Sequence, residues 1–183
     1  MEKNTPEDLF KKMLLQLAKE NRLKNLTVVD LVNKSGLSRQ TFYRYFYNID
    51  DLIYSVHRDI VKPAHKSMEQ LNDSFLFLDL YVRLMDNYRF YYKQIISFNP
   101  HTPFVDKYIN ETKIRMLKYT FNTNTHEILE SQRLYFAYTF YYVGFCITLL
   151  EWLKNDNNIT ANELYISYRK LIPESLVPYL STK

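Results

Sequence analysis

Between Ser38 and Phe46 the chain reads Ser-Arg-Gln-Thr-Phe-Tyr-Arg-Tyr-Phe. On a helix, residues four apart share a face, so Phe42 and Phe46 point together and leave Arg39, Gln40, Thr41, Tyr43, Arg44 and Tyr45 around the outside. Arg can donate in pairs to the guanine edge, Gln matches adenine, and the Thr methyl meets the thymine methyl. Tyr hydroxyls suit phosphate oxygens. This is the chemistry of contact with duplex DNA. On residue chemistry alone, a solvated face on an ordinary three-helix unit fits the segment equally well.

The elements that would carry these residues can be read from caps and periodicity. Thr5, Pro6, Glu7 and Asp8 open a first helix, and Leu9, Phe10, Met13, Leu14 and Leu17 give it an apolar stripe to about Arg22. Thr27 with Asp30 makes a capping box for a second, short helix with Val28, Leu31 and Val32 on its apolar face. Gly36 is the residue best able to adopt the left-handed backbone that stops it. Ser38 caps the third helix, and Leu37, Phe42 and Phe46 are the expected anchors. A fourth helix starts at Asn48 to Asp51 and is expected to end or kink near Val61, ahead of Pro63. The result is helix, tight turn and helix, the layout of a helix-turn-helix.

We place a domain boundary there, with residues 1–62 as the helix-turn-helix domain and 63–183 as a helical second domain. Of the 30 aromatic residues, 23 lie beyond Pro63. Helices are expected near 64–72, 75–97, 104–121, 127–155 and 161–172, the last with a capping box from Thr160 and Glu163.

Composition narrows the function classes. The 183 residues contain two glycines, Gly36 and Gly144, which points to an all-α fold and leaves no Gly-rich phosphate loop. No cofactor is expected. The one cysteine, Cys146, allows no intrachain disulfide and no cysteine-based metal cluster. The N-terminus lacks a secretory pattern, so the cytoplasm is the expected location. Net charge is +4, and from Leu31 to Ile49 Lys34, Arg39 and Arg44 face no acidic residue, a local cationic patch.

The stretch Leu26–Ile53, LTVVDLVNKSGLSRQTFYRYFYNIDDLI, resembles the N-terminal domain of the TetR/AcrR family of transcriptional regulators. The resemblance rests on the Gly-Leu-Ser turn, the Thr-Phe-Tyr-x-x-Phe recognition helix and the following Asp-Asp-Leu-Ile, and covers roughly the first sixty residues. It implies a DNA-binding regulator, by the family's common mode a repressor. It places Thr27 at a phosphate and brings Ser38, Arg39, Gln40, Thr41, Tyr43, Arg44 and Tyr45 to bases or backbone, with Lys34 in the cationic patch beside them. Where the family usually has a phosphate-binding Lys this chain has Ile49, so either Tyr47 or Asn48 substitutes or the affinity for DNA is weaker than is typical of the family. A helical protein-interaction module, or an architectural DNA binder without an effector, is the competing reading that Ile49 keeps open.

Beyond Pro63 the likeness is one of outline. Phe145–Leu171 is similar to the last two helices of such regulators, which pair across a two-fold axis. That pairing explains Leu134–Leu150, seventeen residues without a charge. Its four tyrosines and two threonines, and the lack of a flanking Lys/Arg cluster, argue against a membrane span. A homodimer through the helices near 127–155 and 161–172 is expected, with recognition helices about 34–36 Å apart on a pseudo-palindrome. The bland alternative is the central helix of a monomeric bundle.

Tyr81, Tyr88, Tyr91, Tyr92, Phe104, Tyr108, Phe121, Tyr138 and Tyr142 are candidates to line an apolar effector cavity, although aromatic stripes often form plain core. Arg83, Arg89, Lys93 and Arg115 would meet an anionic effector if they pointed inward, while charged helix residues usually face water. His57, His65, His101 and His126 lack metal-ligand spacing, and His65 with Glu69 is expected to be a surface contact. No nucleophile elbow is present and Cys146 should be buried, so neither catalysis nor a metal site is expected.

Overall fold

The computed structural model describes residues 5–97, 103–120, 125–156 and 158–180. Ten α-helices and a terminal turn make up an all-α architecture, with no strand among the described residues. The first four helices are α1 (Pro6–Lys19), α2 (Val28–Ser35), α3 (Arg39–Tyr45) and α4 (Ile49–Leu71). Next come α5 (Ser74–Asn87), α6 (Arg89–Ser97), α7 (Pro103–Thr120) and α8 (Thr125–Glu130). The chain continues through α9 (Gln132–Lys154), α10 (Ala161–Lys170) and a 3-10 turn over Glu174–Tyr179.

Local rules set most of these boundaries. Thr5, Thr27 and Thr160 each close a capping box with the acid three residues on. That acid also accepts the cap's own N–H, satisfying donors a helix start leaves open. Gly36 takes φ 69° after α2 and donates its N–H to the Val32 carbonyl, the left-handed stop that the absence of a Cβ permits. With glycine so scarce, asparagine takes positive φ after α1 at Asn21 and at the end of α4 at Asn72, and again in the loop before α2 at Asn25.

Four expectations are corrected. Helix α4 neither ends nor breaks before Pro63 but runs unbroken to Leu71, absorbing the helix expected over 64–72. Pro63 is on the exposed side while Ile60, Val61 and Ala64 are buried, so the carbonyl it leaves without a partner faces water and packing holds both flanks. The helix expected over 75–97 is two, because Tyr88 turns the chain with its N–H bonded to the Met85 carbonyl at 3.1 Å. The helix expected over 127–155 is also two, since Ser131 starts α9 by accepting from the Leu134 amide. Helix α1 stops at Lys19, before the expected Arg22.

Helices α1 to α3 pack on one another, and α1 also rests on α4 and α6. Helix α4 continues against α5 and α7, α9 packs on α6, α7 and α8, and α10 lies on α5. Buried side chains join the first three helices to the rest. Gln94 of α6 donates to the Ala18 carbonyl and accepts the Leu23 N–H, while the Tyr91 hydroxyl donates to the Ile53 carbonyl at 2.7 Å.

Candidate nucleic-acid interface and its surroundings

Helix α3 is held by one buried face. Phe42 is fully buried and Phe46 nearly so. Their rings meet Phe10 of α1 edge-on at 5.2 and 6.3 Å. Leu37, the third expected anchor, is partly buried against this core. Such edge-to-face contacts add to the burial energy and fix how the helix sits.

The opposite face is free. Arg39, Gln40, Tyr43, Arg44 and Tyr45 are exposed and Thr41 is half-buried. Ser38 starts the helix by accepting the Thr41 N–H at 3.0 Å, and the two hydroxyls meet at 2.9 Å. The Arg44 guanidinium lies 5.1 Å from the Tyr45 ring centroid, which holds the two side chains together at the C-terminal end. Tyr43 stands edge-on to Phe42, anchored at its base with 58% of its surface exposed.

Other expected contact residues are partly occupied. The Thr27 hydroxyl donates to Asp30 at 2.6 Å while accepting the Asp30 N–H, so its capping box brings a carboxylate to the start of α2. These bonds keep the Asp30 carboxyl below its ordinary pKa. Lys34 is 3.3 Å from Glu20. Asn48 caps α4 through the Asp51 N–H at 2.8 Å. Ile49 packs against the core, while Tyr47 is 85% exposed.

The aromatic candidates do not form one chamber. Tyr81, Tyr92, Phe104 and Tyr108 surround His57, whose Nδ1 lies 2.9 Å from the Tyr92 hydroxyl. Burial pushes the His57 imidazole down to about 3 and raises the Tyr92 and Tyr108 phenols. Tyr138 and Tyr142 stack on each other along α9, and Tyr88 lies beside Phe90. Tyr91 is fully buried, its hydroxyl on the Ile53 carbonyl. Phe121 and His101 lie outside the described residues.

All four basic residues considered for an anionic effector have carboxylate partners. Arg83 pairs with Asp79 at 2.8 Å and Lys93 with Asp156. Arg89 stacks 3.9 Å over Trp152 and donates to its carbonyl at 2.6 Å. Arg115 lies 3.3 Å from Glu111 and also lines an open cleft with α1 and α4. His65 is not a surface residue: its ring is buried against Phe77 and Tyr81, and desolvation, with Arg115 nearby, pushes it down to about 4. Burial moves the Cys146 thiol up to about 12, far from the thiolate state.

Helix α9 is the one described helix long and apolar enough to cross a membrane, yet half of that window is buried inside the fold. Its outward stripe carries Phe136 and Phe140, 79% and 82% exposed, with Gly144 and Ile147 a turn or two on. With Tyr135, Thr139, Val143 and Thr148 they line an apolar groove of about 580 Å³. Ile166 of α10 is exposed as well.

No family model and no curated protein matches the chain. Among solved structures, the chain is similar to one described as dihydroxyacetone kinase operon activator DhaS, with a TM-score of 0.68. The match covers 96% of this chain and 98% of that one at 16% identity. The two proteins share an all-α fold.

Proposed function

We propose that this protein is a DNA-binding transcriptional regulator of the TetR type that acts as a homodimer. The observation that carries this reading is α3. Two buried phenylalanines and a left-handed glycine turn fix a short helix whose outer face presents Arg39, Gln40, Thr41, Tyr43, Arg44 and Tyr45. That is a rigid scaffold carrying base-reading and phosphate-seeking groups. In this reading residues 1–62 bind DNA, 63–183 dimerise and respond to an effector, and the protein works in the cytoplasm. The named function of its structural neighbour, operon activation, supports the regulator class.

The exposed aromatic stripe of α9 supports the dimer, because a contiguous exposed apolar face marks a surface that a partner covers. The core around His57, with Tyr81, Tyr92, Phe104 and Tyr108, is the proposed effector region, entered by rearrangement of its rings. Repression is the family's common mode and activation is the neighbour's, so a reporter assay reads the sign of control.

Selection of genomic fragments by the purified protein at moderate salt tests the reading. A pseudo-palindromic site with half-sites about one helical turn apart is expected; absence of enrichment even at low salt would overturn it. A second reading, an architectural or protein-interaction role, is favoured by the occupied side chains of Thr27, Lys34 and Asn48 and the inward Ile49. It predicts a shallow salt dependence, because each lost phosphate contact removes about 0.9 from the log–log slope.

A further inference from the structure

We propose that the open cleft where α1, α4 and α7 meet is a binding site for a small dianionic oxyanion, phosphoryl or dicarboxylate. Its volume is about 490 Å³, within the range of small-molecule sites. It is separate from the aromatic core, and the inference stands whether or not the protein binds DNA.

The cleft gathers more positive charge than its acids offset. Five cations line the cleft, Lys11, Arg58, Lys62, Lys66 and Arg115, against three acids, Glu7, Asp59 and Glu69. That leaves an excess of two. The acids are also unevenly placed, because Glu7 and Asp59 both close on Lys11, at 2.7 and 2.8 Å. Arg115 lies 3.3 Å from Glu111, which leaves Arg58, Lys62 and Lys66 with one lining carboxylate, Glu69. Lys62 and Lys66 form no ion pair among the described residues, and Arg58 contacts the Tyr54 ring face.

Arg58, Lys62 and Lys66 stand four apart on α4, so each neighbouring pair repels across one helical turn. An anion seated against that edge converts the repulsion into attraction, and Arg115 approaches from α7 across the same cleft. The floor supplies a further polar group. Ser55 is only 4% exposed, lines the cleft, and makes no hydrogen bond through its hydroxyl among the described residues. That hydroxyl can donate to an oxyanion seated in the cleft.

The ligand must be compact. His65 and Arg115 also border a second cavity on the inner side, walled by Phe77, Tyr81 and Phe145, which holds only about 10 Å³. That is room for about one water, so an apolar tail cannot extend inward from the cleft.

The test uses the full-length protein, titrated by calorimetry at constant ionic strength with inorganic phosphate and, separately, succinate. Saturable 1:1 binding of at least one is expected, and the tighter of the two identifies the headgroup source. Lys62→Ala and Lys66→Ala should each weaken it about tenfold, as expected for loss of a charge-assisted hydrogen bond. Lys24→Ala, on the exposed loop before α2, should leave it unchanged. Lys62 and Lys66 are exposed, so their variants should melt like the parent. Failure of both anions to bind saturably, or equal affinity in the α4 variants and the parent, overturns the proposal.

Discussion

Replacing Phe140 with Asp puts a carboxylate in the middle of the outward stripe of α9. The ring is 82% exposed in the isolated chain, so little of its contact surface belongs to the protomer's own core. In a two-fold dimer the same patch serves both subunits, and one substitution removes two rings from the interface. Burying a phenylalanine ring is worth about 1.5–3 kcal/mol, so the pair contributes about 3–6 kcal/mol. That corresponds to a dimer Kd weakened by about a hundredfold to ten-thousandfold. Desolvating the two new carboxylates adds to the loss. Sedimentation velocity across the micromolar range should show a dimer for the parent and a monomer for Phe140→Asp. The variant should melt no lower than the parent does when diluted to a monomer. A parent that is monomeric throughout, or a variant that associates like the parent, would refute the assignment of this face.

Three further outcomes are expected. Tyr43→Phe removes only a hydroxyl from the exposed face of α3 and should weaken operator binding about three- to tenfold, the worth of one hydrogen bond, with unchanged melting; unchanged affinity in a binding titration would take Tyr43 out of the interface. Gly36→Val forces a β-branched residue to φ 69°. It should destabilise the fold by at least about 1–2 kcal/mol, visible as a lower melting temperature, whereas Gly36→Asn should be far milder. His57 is neutral and buried in the fold, with its pKa pushed from 6.5 down to about 3. Below pH 6.5 the unfolded chain therefore binds the extra proton, so stability is fully present above that pH and lost as the pH falls. The slope is about 1.4 kcal/mol per pH unit, or about 2 kcal/mol by pH 5, and His65 acts in the same direction. A flat profile of denaturant midpoint between pH 7 and 5 would contradict a neutral His57.

What could be read from the sequence, and what could not, divides by the range of the interaction responsible. Capping boxes, the glycine turn and the Phe42–Phe46 spacing are set within four or five residues, and the structure has all of them where the pattern puts them. Pro63 misleads for the opposite reason. Its local penalty is real, yet Ile60, Val61 and Ala64 bury the helix on either side of it, a tertiary effect that no proline rule contains. The Tyr88 break is equally hidden, since it is locked by Arg89 reaching Asp86 and the Trp152 carbonyl. Asn72 at positive φ carries a local signal, since asparagine is the natural substitute terminator in a glycine-poor chain. For the candidate sites, the exposed face of α3 was legible because a helix displays its own periodicity. The capping duties of Thr27 and Asn48 were half legible, since the same residues signal a helix start. The cleft was not, because Lys11, Lys62 and Arg115 meet only through packing between helices far apart in sequence.

The continuity of α4 has a mechanical consequence. A helix of 23 residues is a rod about 34 Å long. Its first turn follows directly on α3, and its last turn lies past the Lys62–Lys66 edge. Tilting such a rod by about 5° about one end moves the other through an arc of about 3 Å by simple geometry, comparable to the length of the hydrogen bonds that hold a side chain to a base. A hinge at Pro63 would dissipate that motion within one turn. An unbroken rod transmits it, so a small displacement against α5 or α7 reaches Asn48 and the end of α3 as an angular change at full leverage.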